Sequence, residues 1–178
     1  MSILYSTEAV LIASHSDRVD QDPVEGFCLL ATRLMNRLRL FKQPSDAQHC
    51  IEYIRYLESQ PLQAFGISSG EVKLYLLEAL ASQVELGIGD AARNMDEVMA
   101  RCRDLLASDI PHPLLKPAII ALVSASNVYS DHFPASEYVD VLIDCLREAN
   151  RCLGSHDPYV AKQLALHLSS LQRNVFNE

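Results

Sequence analysis

Apolar residues recur at intervals of three and four along most of the chain, the spacing that turns one side of an α-helix toward a core. Val24, Phe27, Cys28, Ala31, Leu34, Met35, Leu38 and Phe41 follow it. Asp22-Pro23 ahead of them offers a cap and a first-turn proline, so a helix is expected near 23–41, stopping before Pro44. A shorter segment near 7–14 precedes it, with Ser6 or Thr7 as cap. Ser45 or Asp46 opens the next helix, near 45–60, with Ile51, Tyr53, Ile54 and Leu57 on one side, and Pro61 closes it. A helix near 69–87 carries Val72, Tyr75, Leu76, Ala79, Leu80 and Val84. Gly87-Ile88-Gly89-Asp90 then supplies its stop and the following cap.

The segment near 91–107 is the most clearly two-sided: Met95, Val98, Met99, Cys102, Leu105 and Leu106 face inward, and Arg93, Asp96, Glu97, Arg101 and Asp104 face water. After Pro111-His112-Pro113, the stretch near 114–130 is apolar nearly all round and is expected to be the most buried element. A helix near 135–153 bears Val139, Leu142, Ile143, Leu146, Ala149 and Cys152. Asp157-Pro158 opens the last, near 157–175, with Val160, Leu164, Leu168, Leu171 and Val175 inward and Leu166 and Phe176 off that stripe.

The elements keep a period. First helices begin near residues 23, 68, 114 and 157, a step of roughly 45 residues, and second helices superpose at a shift of about 44. That shift places Met95, Val98, Cys102 and Leu105 on Val139, Leu142, Leu146 and Ala149, and Ile51 and Ile54 on Met95 and Val98. A hairpin with one apolar face buries it by stacking on its neighbours, which is the physical reason to repeat the unit. The fold class expected is all-α: stacked antiparallel helical hairpins, an α-solenoid of about seven to eight helices forming one helical-repeat domain over 1–178.

The stretches FKQPSDAQHCIEYIRYLESQPLQAFGI and LEALASQVELGIGD, and the junction SHDPYVAKQLALHL, resemble segments of the tetratricopeptide-like proteins of basidiomycete fungi. The junction is similar to the H-P-D-x-x-x-x-x-L-x-x-L entry of their repeats, with His and Pro-Asp rearranged. The resemblance covers most of the chain. It implies a TPR-like helical repeat serving protein–protein contact, and a chain that is one segment of a larger protein, since such repeats are often joined to a catalytic or nucleotide-binding module.

Composition narrows the function classes. Apolar residues make up 49% and charged residues 21% of the 178 residues, a balance that excludes wholesale disorder. A formal net charge of −8 argues against nucleic acid as partner. No apolar run reaches membrane-spanning length, so no membrane association is expected. The N-terminal stretch lacks a basic n-region and carries Glu8, reading as mature chain and not as a signal peptide. The five cysteines, Cys28, Cys50, Cys102, Cys145 and Cys152, are odd in number and sit on apolar stripes. Free, structurally silent thiols in the cytoplasm are expected.

Sites with chemistry are few. No phosphate loop, dinucleotide fingerprint, HExxH or nucleophile elbow is present. Gly87 and Gly89 follow a helix and read as its stop. Cys145, Cys152 and His156 lie close in sequence without a fourth ligand at metal spacing, and His49 and Cys50 are adjacent, so they point apart on a helix. Asp17, Asp20, Asp22 and Glu25 miss the calcium-loop spacing and read as a solvated loop. No catalysis, cofactor or metal is expected. Arg33, Arg37, Arg39 and Lys42 form the one basic concentration, able to clamp a carboxylate or phosphate of a protein or peptide partner; the competing reading is a solvated face paired with nearby acids. A second function hypothesis is a small-ligand protein with an apolar pocket between helices, lined by Tyr75, Tyr129, Phe133 and Tyr138. Apolar surface at the terminal helices adds a homodimer to the expected partners.

Overall fold

The computed structural model describes residues 23–65, 68–108, 112–132, 137–154 and 157–176. The expected helix near 7–14, the acidic patch apart from the backbone of Glu25, Phe133 and His156 lie outside the described residues or side chains. Within the described residues there are seven α-helices and no strand. They are α1 (Pro23–Phe41), α2 (Pro44–Glu58), α3 (Ser69–Glu85), α4 (Ala91–Ala107), α5 (His112–His132), α6 (Glu137–Leu153) and α7 (Pro158–Phe176), with one 3₁₀ turn, Leu62–Phe65, between α2 and α3.

Local chemistry sets the boundaries. α2 begins at Pro44 and not at Ser45 or Asp46: Gln43 is its extended N-cap, and proline occupies the first turn, where its missing N–H costs nothing. Ser68 caps α3 by accepting from Glu71 N, and Asp90 caps α4 by accepting from Arg93 N at 3.1 Å. Asp157 caps α7, its Oδ1 accepting from Tyr159 N and Val160 N. α3 ends in a Schellman turn, with Ile88 N bonded to Gln83 O and Gly87 N to Val84 O. Gly87 there holds φ 63°, which a side chain would strain.

Each helix packs on the next. Contacts also join α1 with α3, α3 with α5, and α4 with α6. One apolar core runs through all seven helices. The inward set expected for α4, from Met95 to Leu106, is buried throughout. Of the positions superposed by the 44-residue shift, Ile51, Ile54, Met95, Val98, Cys102, Leu105, Leu142, Leu146 and Ala149 are buried, and Val139 is half-buried.

The most buried helix is α3, not α5. α3 is covered by α1, α2, α4 and α5, and Leu74, Leu76, Leu77, Ala79, Leu80, Ala81 and Ser82 are all inside. α5 has α3, α4 and α6 as neighbours. It buries Ile119 and Leu122 completely but leaves Ile120 42% exposed. A helix that is apolar all round therefore keeps one open side here, and that side faces a groove.

Candidate interaction groove

The groove lies across α1, α3 and α5 and encloses about 330 Å³. Its floor is built from small residues, Ala81 and Ser82 of α3 with Ala121 and Ser124 of α5, which keep the surface low between the helices. Met35 of α1 and Pro117 and Ile120 of α5 supply larger apolar surface. Pro117 stands inside α5 and lacks the N–H that would bond to the carbonyl four residues earlier.

Two ion pairs line the same groove. Arg39 of α1 meets Glu78 of α3 at hydrogen-bond distance, and Lys42 Nζ lies 2.7 Å from Glu85 Oε2. The Arg39 guanidinium also stands over the Tyr75 ring, 5.6 Å from its centroid. Burial raises the Glu78 carboxyl above its ordinary range, although Arg39 and then Lys42 pull it down.

The four basic residues singled out in the sequence are thus divided. Arg39 and Lys42 line the groove, already matched to internal carboxylates. Arg37 Nε lies 3.3 Å from Asp46 Oδ2, an ion pair that is not also a hydrogen bond, since neither oxygen of this fully buried carboxylate has a hydrogen-bond partner. Asp46 sits in the first turn of α2, where the helix dipole favours negative charge. Arg33 is exposed on α1 and enters no ion pair among the described residues.

Of the four aromatic residues expected around a pocket, Tyr75, Tyr129 and Tyr138 are described. Tyr129 and Tyr138 meet edge to face, centroids 5.3 Å apart and planes at 88°, at the α5–α6 contact. Burial, then the charge of Asp96, pushes the Tyr129 hydroxyl up. Tyr75 is engaged by Arg39, and none of these three lines the groove.

A second, smaller cavity of about 220 Å³ lies between α4 and α6, lined by Arg103, Leu106, Ala107, Asp144, Cys145 and Glu148. All five cysteines are free thiols. Burial, then the Asp46 charge, pushes the Cys50 thiol up to about 12, so this thiol beside His49 stays protonated. Among the described residues no group of three or more His, Cys, Asp or Glu could hold a metal ion, and no helix is long and apolar enough to cross a membrane. Sequence reasoning missed the acidic half of the groove, Glu78 and Glu85, because they sit about 40 residues from their cations, where only the helix packing brings them together. Comparison with protein-family models, curated proteins and solved structures returns no match for the chain.

Proposed function

We propose that the chain is a non-catalytic, cytoplasmic interaction module, a stack of antiparallel helical hairpins of the tetratricopeptide-like kind. It presents the α1–α3–α5 groove to a peptide or helical segment of a protein partner. The observation that carries this reading is the groove itself: an open channel across three alternate helices, with a small-residue floor and both charge signs along it. Such a surface suits a short segment with apolar anchors and charged flanks.

The packing supports the hairpin-stack part of the reading. α1 touches α3, α3 touches α5 and α4 touches α6, and ion pairs bridge alternate helices at a nearly constant separation in sequence. Arg39–Glu78 and Lys42–Glu85 join α1 to α3 across 39 and 43 residues. Arg55–Glu97 and Arg101–Glu58 join α2 to α4 across 42 and 43 residues. Lys116–Asp157 joins α5 to the α7 cap across 41 residues. Separations slightly below the period of roughly 44 residues are what stacked, equivalent hairpins would give.

A peptide library displayed on phage and selected on the full chain tests the groove. Binders should lose affinity at least about tenfold on Ile120→Glu, which places a charge in the channel, and keep it on Arg147→Glu, on α6 outside the groove lining. Binders indifferent to Ile120→Glu would refute the proposed surface.

A further inference from the structure

The charges along the groove are unequally accessible. The Arg39 and Lys42 side chains are 45% and 47% exposed, whereas their partners Glu78 and Glu85 are 15% and 17% exposed. The carboxylates therefore lie beneath the cations, and a body entering the channel meets positive charge first. Neither cation is saturated. Arg39 gives one hydrogen bond, from Nη2, and Lys42 one, from Nζ. Arg39 Nε and Nη1 and two of the three Lys42 N–H groups thus have no acceptor among the described residues.

The spacing of the two cationic points is set by α3. Glu78 and Glu85 stand two helical turns apart, about 10 Å along the axis, and each holds its cation at hydrogen-bond distance. A bound helix matches that spacing with side chains at i and i+7, which share one face with those at i+3 and i+4. An extended segment covers about 10 Å in three residues, and its i and i+3 side chains point to opposite faces. The channel also offers Pro117, Ile120 and Ala121 of α5 as apolar wall. Each cationic point is one side chain with an acid already beside it, a match for a single carboxylate and a poor one for a doubly charged phosphate.

We propose that the occupant of the groove is an amphipathic helix of a protein partner, with acidic residues at i and i+7 and a large apolar residue at i+3 or i+4 between them. This rests on the reading of the groove as a peptide-binding surface and adds the sign of the charged flanks. One acid accepts from Arg39 and the other from Lys42, so that each cation bridges an internal and a partner carboxylate. The apolar side chain lies against Pro117 and Ile120, over the low floor of Ala81, Ser82 and Ser124. A basic segment would have to displace Arg39 and Lys42 to reach Glu78 and Glu85, leaving both cations without their acids. The net charge of −8 repels an acidic helix at long range, so binding depends on these two cations at contact.

The test uses the full chain and the displayed peptide library, scored on the clones that lose binding to Ile120→Glu. Those clones should carry Asp or Glu pairs seven residues apart more often than the unselected library. Synthetic peptides made from them should bind Arg39→Gln and Lys42→Gln at least about threefold more weakly than wild type. They should bind Glu85→Gln at least as tightly as wild type, because Lys42 then has no internal acid to share. Replacing both acids of the peptide by Gln, which leaves the protein untouched, should weaken binding to wild type at least about tenfold. Ile120-sensitive clones enriched in Lys or Arg, weaker binding to Glu85→Gln, or peptides indifferent to the loss of their acids would overturn the acidic helix and leave the groove standing. A selection with no Ile120-sensitive clone would remove the groove, and the acidic helix with it.

Discussion

Lys42 holds a left-handed backbone, φ 49°, at the end of α1, while its ammonium reaches Glu85 on α3 with Nζ 2.7 Å from Oε2. The turn needs the conformation: Lys42 N bonds back to Leu38 O, and only Gln43 separates it from the proline that begins α2. A non-glycine residue in this region costs about 1–2 kcal/mol, while an exposed ion pair returns about 0.2–1 kcal/mol. Lys42→Gly should therefore match or exceed the wild-type urea midpoint. Lys42→Ala keeps the strain and loses the pair, so it should fall below the glycine variant by roughly 1 kcal/mol. Identical midpoints for the two variants would mean that the turn is not left-handed in solution.

Neighbouring residues on α5 separate core from groove. Ile119 is completely buried and Ile120 is 42% exposed. Ile119→Ala and Leu122→Ala should each cost about 2–5 kcal/mol in a denaturant titration. Ile120→Ala should cost under about 1 kcal/mol, because its side chain leaves only part of its surface in contact. A loss at Ile120 equal to that at Ile119 would put the helix in a different rotation.

Helix positions and the inward faces of α2 and α4 were legible in the sequence because periodicity, proline and capping residues are local signals, whereas α3 also buries Leu74, Leu77, Ala81 and Ser82 off its expected face. What lay between helices was not. Glu97 and Arg101 read as a water-facing stripe, yet Arg101 meets both Glu58 and Glu97, and Glu97 also accepts from Arg55 at 2.8 Å. These side chains are only about a quarter exposed, so they link α2 to α4 as well as solvating the helix. The basic cluster was visible, but not its division between Asp46 and the groove carboxylates, since a one-dimensional pattern carries no information on which acids the packing delivers.

Stability should depend on pH through Glu78. Burial raises its carboxyl pKa, chiefly against the pull of Arg39, so the folded state binds this proton more tightly than the unfolded chain. The contribution is complete below the unfolded pKa and is lost as the pH rises through the folded value. Urea titrations of wild type and Glu78→Gln, run from about pH 4 to about pH 8, should show the difference moving against wild type as the pH increases. A difference independent of pH, or one moving toward wild type, would mean that the Arg39 pair outweighs desolvation.

Over its described side chains, α7 is the least covered helix. α7 lies against α6 and buries Val160, but Leu164 and Leu168 are half-buried and Leu166 is 50% exposed. Leu171 and Val175, expected on the same inward stripe, and Phe176 have side chains outside the described set. Leu29 of α1, at the other end of the helix order, is 55% exposed. A contiguous exposed apolar face on a helix is commonly buried against a second body. Leu166 is apolar and half in solvent. Self-association through α7 is the expected outcome, seen in sedimentation velocity as a sedimentation coefficient that rises with concentration. Leu166→Glu should shift the population toward monomer while leaving the helical circular dichroism unchanged, because the substituted side chain is half in solvent already. A wild-type chain that stays monomeric to about 100 μM, where even weak associations with micromolar Kd are populated, would remove the second copy as the cover for this face.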